Sequence, residues 1–113
     1  FLRLAQRVAA VAAVHPDRSG MLVKVLAGPY EQWPIPWYLR GMTHVGYWPS
    51  AAAAGRVDDA PIVIAAQDQA DAVGAALGDR YIQESYGLRP EVLLSVFIER
   101  ESWDRFMASR EAR

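Results

Sequence analysis

The 113-residue chain contains no cysteine. Disulfide cross-links, thiolate nucleophiles and the usual zinc sites are therefore excluded. It also lacks an excess of either charge: 12 lysines and arginines stand against 13 acids, for a formal net charge of -1. A nucleic-acid module would present a basic face, and an anionic bilayer offers this chain no electrostatic attraction. Long apolar runs are missing too. The stretch "VAAVAAV", residues 8–14, is far shorter than the ~20 residues that span a bilayer, and no small-residue cleavage site of a signal peptide follows it. Neither a Gly-x-Gly-x-x-Gly pattern nor a Walker pattern follows the first strand, where "AGPYEQWP" stands instead. No serine lies in a nucleophile elbow. No cofactor and no bound metal is expected.

What is present is a run of alternating helix and strand signals in a chain of single-domain length. Leu4, Val8 and Val11 share one helical face over residues 1–14, and Pro16 and Gly20 end that segment. "MLVKVLA", residues 21–27, reads as a strand buried on both faces. Pro36 starts a short helix through Arg40, and Gly41 stops it. "THVGYW" (43–48) and "PIVIAA" (61–66) read as strands, with a brief helix between them capped by Ser50 and ended by Gly55. Asp68 is expected to cap a helix over residues 69–77, with Val73, Ala76 and Leu77 on one face. "YIQESYGL" (81–88) alternates like an edge strand, and "VLLSVFI" (92–98) is the most apolar strand. The two lie too close for a crossover helix and should pair antiparallel. Trp103, Phe106 and Met107 mark a final helix. The expected fold is an α/β three-layer sandwich of about five strands, mostly parallel, with a C-terminal antiparallel hairpin.

The densest chemistry lies in "YEQWPIPWYLRG", residues 30–41. It leaves the carboxyl end of the first strand, which is where open α/β sheets bind ligands. Tyr30, Trp33, Trp37 and Tyr38 offer flat apolar rings, and Glu31 and Arg40 offer directed hydrogen bonds. Sugars present apolar C–H faces and hydroxyl rims, so this mixture suits a saccharide or its carrier. Arginine also forks onto phosphate or carboxylate. Three blander alternatives stand beside this one: the rings supply buried area to a small core, the cluster docks onto another domain, or Arg40 pairs with Glu31. His15 is expected to be solvated, His44 to be structural, and Asp58 and Asp59 to form a solvated turn.

The stretch "WPIPWYLRGMTHVGYW", residues 33–48, resembles the soluble C-terminal region of a membrane family related to dolichyl-phosphate-mannose protein mannosyltransferases, often labelled flippase-activity-associated. "DDAPIVIAA" and "YGLRPEVLLSVFIER" resemble its succeeding blocks, so the likeness covers residues 21–103. It implies a glycosyltransferase-like parent with many membrane helices and a lipid-linked sugar donor. The chain opens at Phe1 inside a helical pattern, and is expected to be an extracytoplasmic piece of that longer, membrane-attached protein. The fragment alone is not expected to catalyse, and no catalytic residue carries over from the likeness. The expected substrate-binding set is Tyr30, Glu31, Trp33, Trp37, Tyr38, Arg40, Tyr47 and Trp48. The expected partners are a glycan or lipid-linked sugar and the membrane part of the same protein. The alternative is an independent α/β module that binds a small ligand or a protein, with no glycan role.

Overall fold

The computed structural model describes residues 2–28, 33–89 and 92–111. Helix α1 (Leu2–Val14) leads through a short 3-10 turn into β1 (Val23–Leu26). Then come α2 (Ile35–Tyr38), β2 (Val45–Trp48), α3 (Ala51–Ala54), β3 (Ile62–Ala66) and α4 (Gln67–Leu77). A second 3-10 turn, β4 (Tyr81–Arg89), β5 (Val92–Glu99) and α5 (Arg100–Glu111) complete the chain. None of these helices is long and apolar enough to cross a membrane.

The five strands form one mixed sheet in the order β2-β1-β3-β5-β4. β1 pairs in parallel with both β2 and β3, through four residue pairs each. β5 runs antiparallel to β3 through five pairs and to β4 through eight. The sheet is thus more antiparallel than the sequence reading expects. The hairpin joins the β3 side of the parallel block β2-β1-β3: its second strand pairs antiparallel with β3 and leaves β4 at the edge. β5 is wholly apolar except for Ser95 and Glu99, so it gains more from a place with neighbours on both sides.

Period-two alternation sends side chains to two apolar clusters. Val23, Val25, Ile62, Ile64, Leu94, Val96 and Ile98 join Leu4, Val8 and Val11 of α1 and Phe106 of α5. Leu26, Val63, Ala65 and Phe97 join Val73 and Leu77 of α4. β1 and β3 are buried at every position, which is why β3 reads as an unbroken apolar run and β1 as one broken by Lys24 alone.

Local signals set most boundaries. The Ser50 side chain accepts the Ala53 N–H, and α3 ends at Gly55 with φ 70°. α4 ends at Gly78 with φ 61°, a conformation an L side chain resists. Its start differs from the expectation. Ala66 holds the cap position and Asp68 lies within the first turn, so its charge favours the helix through the dipole and not through a capping hydrogen bond. The buried positions of α4 are Ala70, Val73 and Leu77, whereas Ala76 is exposed.

Candidate functional site

Ile35 and Leu39 are both buried, and they anchor α2 in the cluster it shares with α1. Residues on the other side of so short a helix must then face out. Trp33 is 56% exposed, Trp37 54% and Tyr38 39%, unusual values for aromatic rings. Pro36 in the first turn fixes a helical φ without leaving an N–H unpaired, and the Trp33–Pro34 peptide is cis.

Arg40 closes the segment. Its guanidinium carbon lies 3.9 Å from the centroid of the Trp37 ring, and its Nη1 donates to the Trp37 carbonyl oxygen at 2.8 Å. Among the described residues Arg40 makes no ion pair. Tyr30 and Glu31 lie outside the described residues. Trp33, Trp37, Tyr38 and Arg40 are therefore exposed aromatic and cationic side chains of one short segment, with Trp37 and Arg40 in contact. That pair can stack on an apolar face and direct guanidinium N–H groups at an acceptor beside it.

Tyr47 and Trp48 are half-buried on β2. Successive strand residues point to opposite faces. Tyr47 packs against the α1 cluster, and burial raises its hydroxyl pKa. Trp48 packs on the α4 side. Its indole folds back along its own strand, so that a Cβ on Gly46 would lie 2.3 Å and 2.5 Å from two ring carbons. Only glycine leaves that space.

The Trp48 ring also covers a group that the sequence reading passes over. Lys24, in the middle of β1, is only 8% exposed. Its Nζ lies 2.7 Å from the Asp59 carboxylate, donates to the Arg56 carbonyl oxygen at 2.5 Å, and sits 5.5 Å from the Trp48 ring centroid. An ammonium removed from water needs such partners. The visible sign in the sequence is a lysine inside "MLVKVLA". Its counter-ion lies far along the chain, and only the fold brings them together.

Asp58 and Asp59 are thus not an idle solvated turn. Arg56 Nε lies 2.6 Å from Asp58, and Arg80 Nη1 lies 3.5 Å from it. The Arg56 hydrogen bond, supported by the charges of Arg56 and Arg80, lowers the Asp58 pKa. Nearby, the Tyr81 hydroxyl donates to the Ala60 carbonyl oxygen at 2.6 Å, and burial, with the Glu99 charge adding to it, pushes its pKa up to about 12. The imidazole of His15 is tucked in and not solvated, with its side chain 12% exposed and Nδ1 accepting the Asp17 N–H at 3.0 Å. His44 is exposed and lines a depression with Asp17, Gly20 and Leu22. Its carbonyl bonds Val23 at the amino end of β1, the end opposite the aromatic segment's departure.

Comparison with known proteins finds no matching family model, no matching curated protein and no matching solved structure.

Proposed function

We propose that this chain is the extracytoplasmic domain of a membrane-attached, glycosyltransferase-like protein, where it helps to receive a glycan, a lipid-linked sugar or an acceptor. The observation that carries this reading is the exposed pair Trp37 and Arg40, stacked at 3.9 Å and flanked by exposed Trp33 and Tyr38. Burying such rings would have stabilised a small core by about 1.5–3 kcal/mol each. Leaving them in water is a cost that a recognition surface recovers on binding. A pyranose face stacks on an indole, and the guanidinium meets the hydroxyl or phosphate rim. The likeness of "WPIPWYLRGMTHVGYW" to the mannosyltransferase-related family supports a sugar, or a phosphate-linked sugar, over other apolar ligands. We read the architecture as a three-layer sandwich, the two apolar clusters being the two interlayer cores, with the parallel half of the sheet carrying the recognition segment. Tyr47 and Trp48 support that segment from within the sheet and do not touch the ligand.

The test is a titration of tryptophan fluorescence with free oligosaccharides and with a polyprenyl-phosphate hexose. Wild type should bind, while Trp37→Ala and Arg40→Ala should lose about tenfold in affinity and keep a cooperative melt. Wild-type affinity in both variants would refute the reading, as would loss of the melt in both.

A further inference from the structure

A second surface goes beyond the sugar reading and uses none of its residues. It lies between α1 and the edge strand β4. Arg3, Gln6, Arg7, Ala10 and Tyr86 line a depression of about 250 Å³. A larger one beside it shares Arg3, Arg7 and Tyr86, and adds Glu84, Ser85 and Gly87. Together they form one groove that follows four consecutive residues of β4.

Two properties of this groove restrict its occupant. The first is the strand. β4 is nine residues long and, among the described residues, has β5 as its one neighbour. Over residues 81–86 its outer row of backbone N–H and C=O groups is a template for another strand. The second is charge. Glu84 is already engaged, 3.1 Å from Arg7 Nε and accepting the Tyr86 hydroxyl at 2.7 Å. Arg7 is held in place by stacking over Phe106 at 4.8 Å and Trp103 at 5.5 Å. Burial opposes its charge, but the Tyr86 hydrogen bond and the Glu84 charge outweigh that and raise its pKa, so the site stays cationic. Arg3 is exposed and makes no ion pair among the described residues. Among the described residues the groove therefore keeps a net positive charge beside the outer edge of the sheet.

We infer that an extended, acidic peptide segment of a partner protein adds to β4 as a sixth strand, with its carboxylates directed at Arg3 and Arg7. Nucleic acid fits poorly, because its backbone cannot match alternating N–H and C=O groups. A second copy of this chain fits poorly too: pairing two β4 edges would bring the arginines of both copies to one junction.

The test is fluorescence anisotropy of a short fluorescein-labelled peptide of alternating aspartate and valine, with amide exchange of residues 81–86 as a second readout. The acidic peptide should bind and protect those amides. A lysine–valine peptide should not bind, and N-methylation at alternate peptide bonds should abolish binding. Arg3→Glu should weaken binding roughly tenfold and Arg3→Gln roughly threefold, both with an unchanged melt. Equal binding of acidic and basic peptides would overturn the inference, as would indifference to N-methylation. Concentration-dependent protection of residues 81–86 without peptide would overturn it in favour of a second copy.

Discussion

Trp48 and Trp37 each carry a cation over the indole, and water reaches them very differently. Trp48 lies against the α4 core with Lys24 above it, and that lysine is locked to Asp59. Trp37 stands 54% exposed with Arg40 above it, and among the described residues Arg40 bonds a backbone carbonyl and makes no ion pair. The contact type is the same, but the consequences differ. In the first pair the cation is desolvated, its partners are obligatory, and the indole needs Gly46 beneath it to lie flat. In the second pair the ring and the cation are both exposed, and the backbone carbonyl they share can also be met by water. Aromatic and cationic composition therefore does not separate architecture from recognition. Solvent exposure and the counter-ion do.

Breaking the interior pair should give the largest effect. Lys24→Met keeps most of the stem but removes the charge, leaving Asp59 and the Arg56 carbonyl unpartnered. Loss of one member of a fully buried pair costs 3–5 kcal/mol. Asp59 keeps a side chain that is 38% exposed, so we expect about 2 kcal/mol and a fall in Tm of roughly 10 °C. Adding Asp59→Asn should recover part of it, and a coupling energy near zero in that cycle would show that the two charges do not act as a unit. Gly46→Ala comes next. Its new Cβ would meet the Trp48 ring, which must swing out and uncover Lys24, at about 2 kcal/mol or slightly less. A red-shifted tryptophan emission should accompany the loss.

Tyr81 sharpens the comparison by pH. Its hydroxyl bonds Ala60 beside the Asp59 turn, and its pKa is pushed from 10.0 up to about 12. The unfolded chain binds fewer protons than the native one between those values. The contribution of Tyr81 is therefore whole below pH 10 and is lost as pH rises from about 10 to about 12. Tyr81→Phe should cost about 1 kcal/mol at neutral pH, because the Ala60 carbonyl loses its donor, and should flatten the alkaline loss. An unchanged alkaline slope in urea melts of the variant would assign that loss to other groups. Asp58 works in the opposite direction. Its lowered pKa contributes stability that is present above pH 3.8 and fades as pH falls through the native value.

Much of the fold was legible because burial leaves a local mark. A strand covered on both faces is apolar at nearly every position, so β1, β3 and β5 declare themselves in "LVKVL", "IVIAA" and "VLLSVFI". Ser50, Gly55 and Gly78 announce helix ends through capping and left-handed backbone. The place of β5 between β3 and β4 was not legible, since it depends on pairing between distant segments. The Lys24–Asp59–Trp48 cluster was missed for the same reason. Each member looks ordinary in its own stretch: a lysine in a strand, an acid in a turn, an aromatic after a glycine. The one local clue was a charge within an otherwise apolar run. The aromatic segment was conspicuous in sequence, but its division was not. Trp33, Trp37, Tyr38 and Arg40 face water while Tyr47 and Trp48 pack on the sheet, and that split follows from where Ile35 and Leu39 anchor α2.

The exterior pair should give the smallest change in stability, and that is its diagnostic value. Trp37→Ala removes an exposed ring and the platform under Arg40, an arrangement worth about 0.5–1 kcal/mol at a hydrated site. Arg40→Ala also removes the hydrogen bond to the Trp37 carbonyl, which water can replace. Each melt should fall by no more than roughly 5 °C. In a double-mutant cycle on stability the coupling should match the cation–π value and no more. The same cycle run on sugar binding should give a larger coupling, because a ligand wedged against both groups lets each enhance the other. If the two cycles return equal coupling, the stacked pair serves the fold alone. Trp37 and Arg40 then belong with Trp48 and Lys24, as two versions of one structural contact.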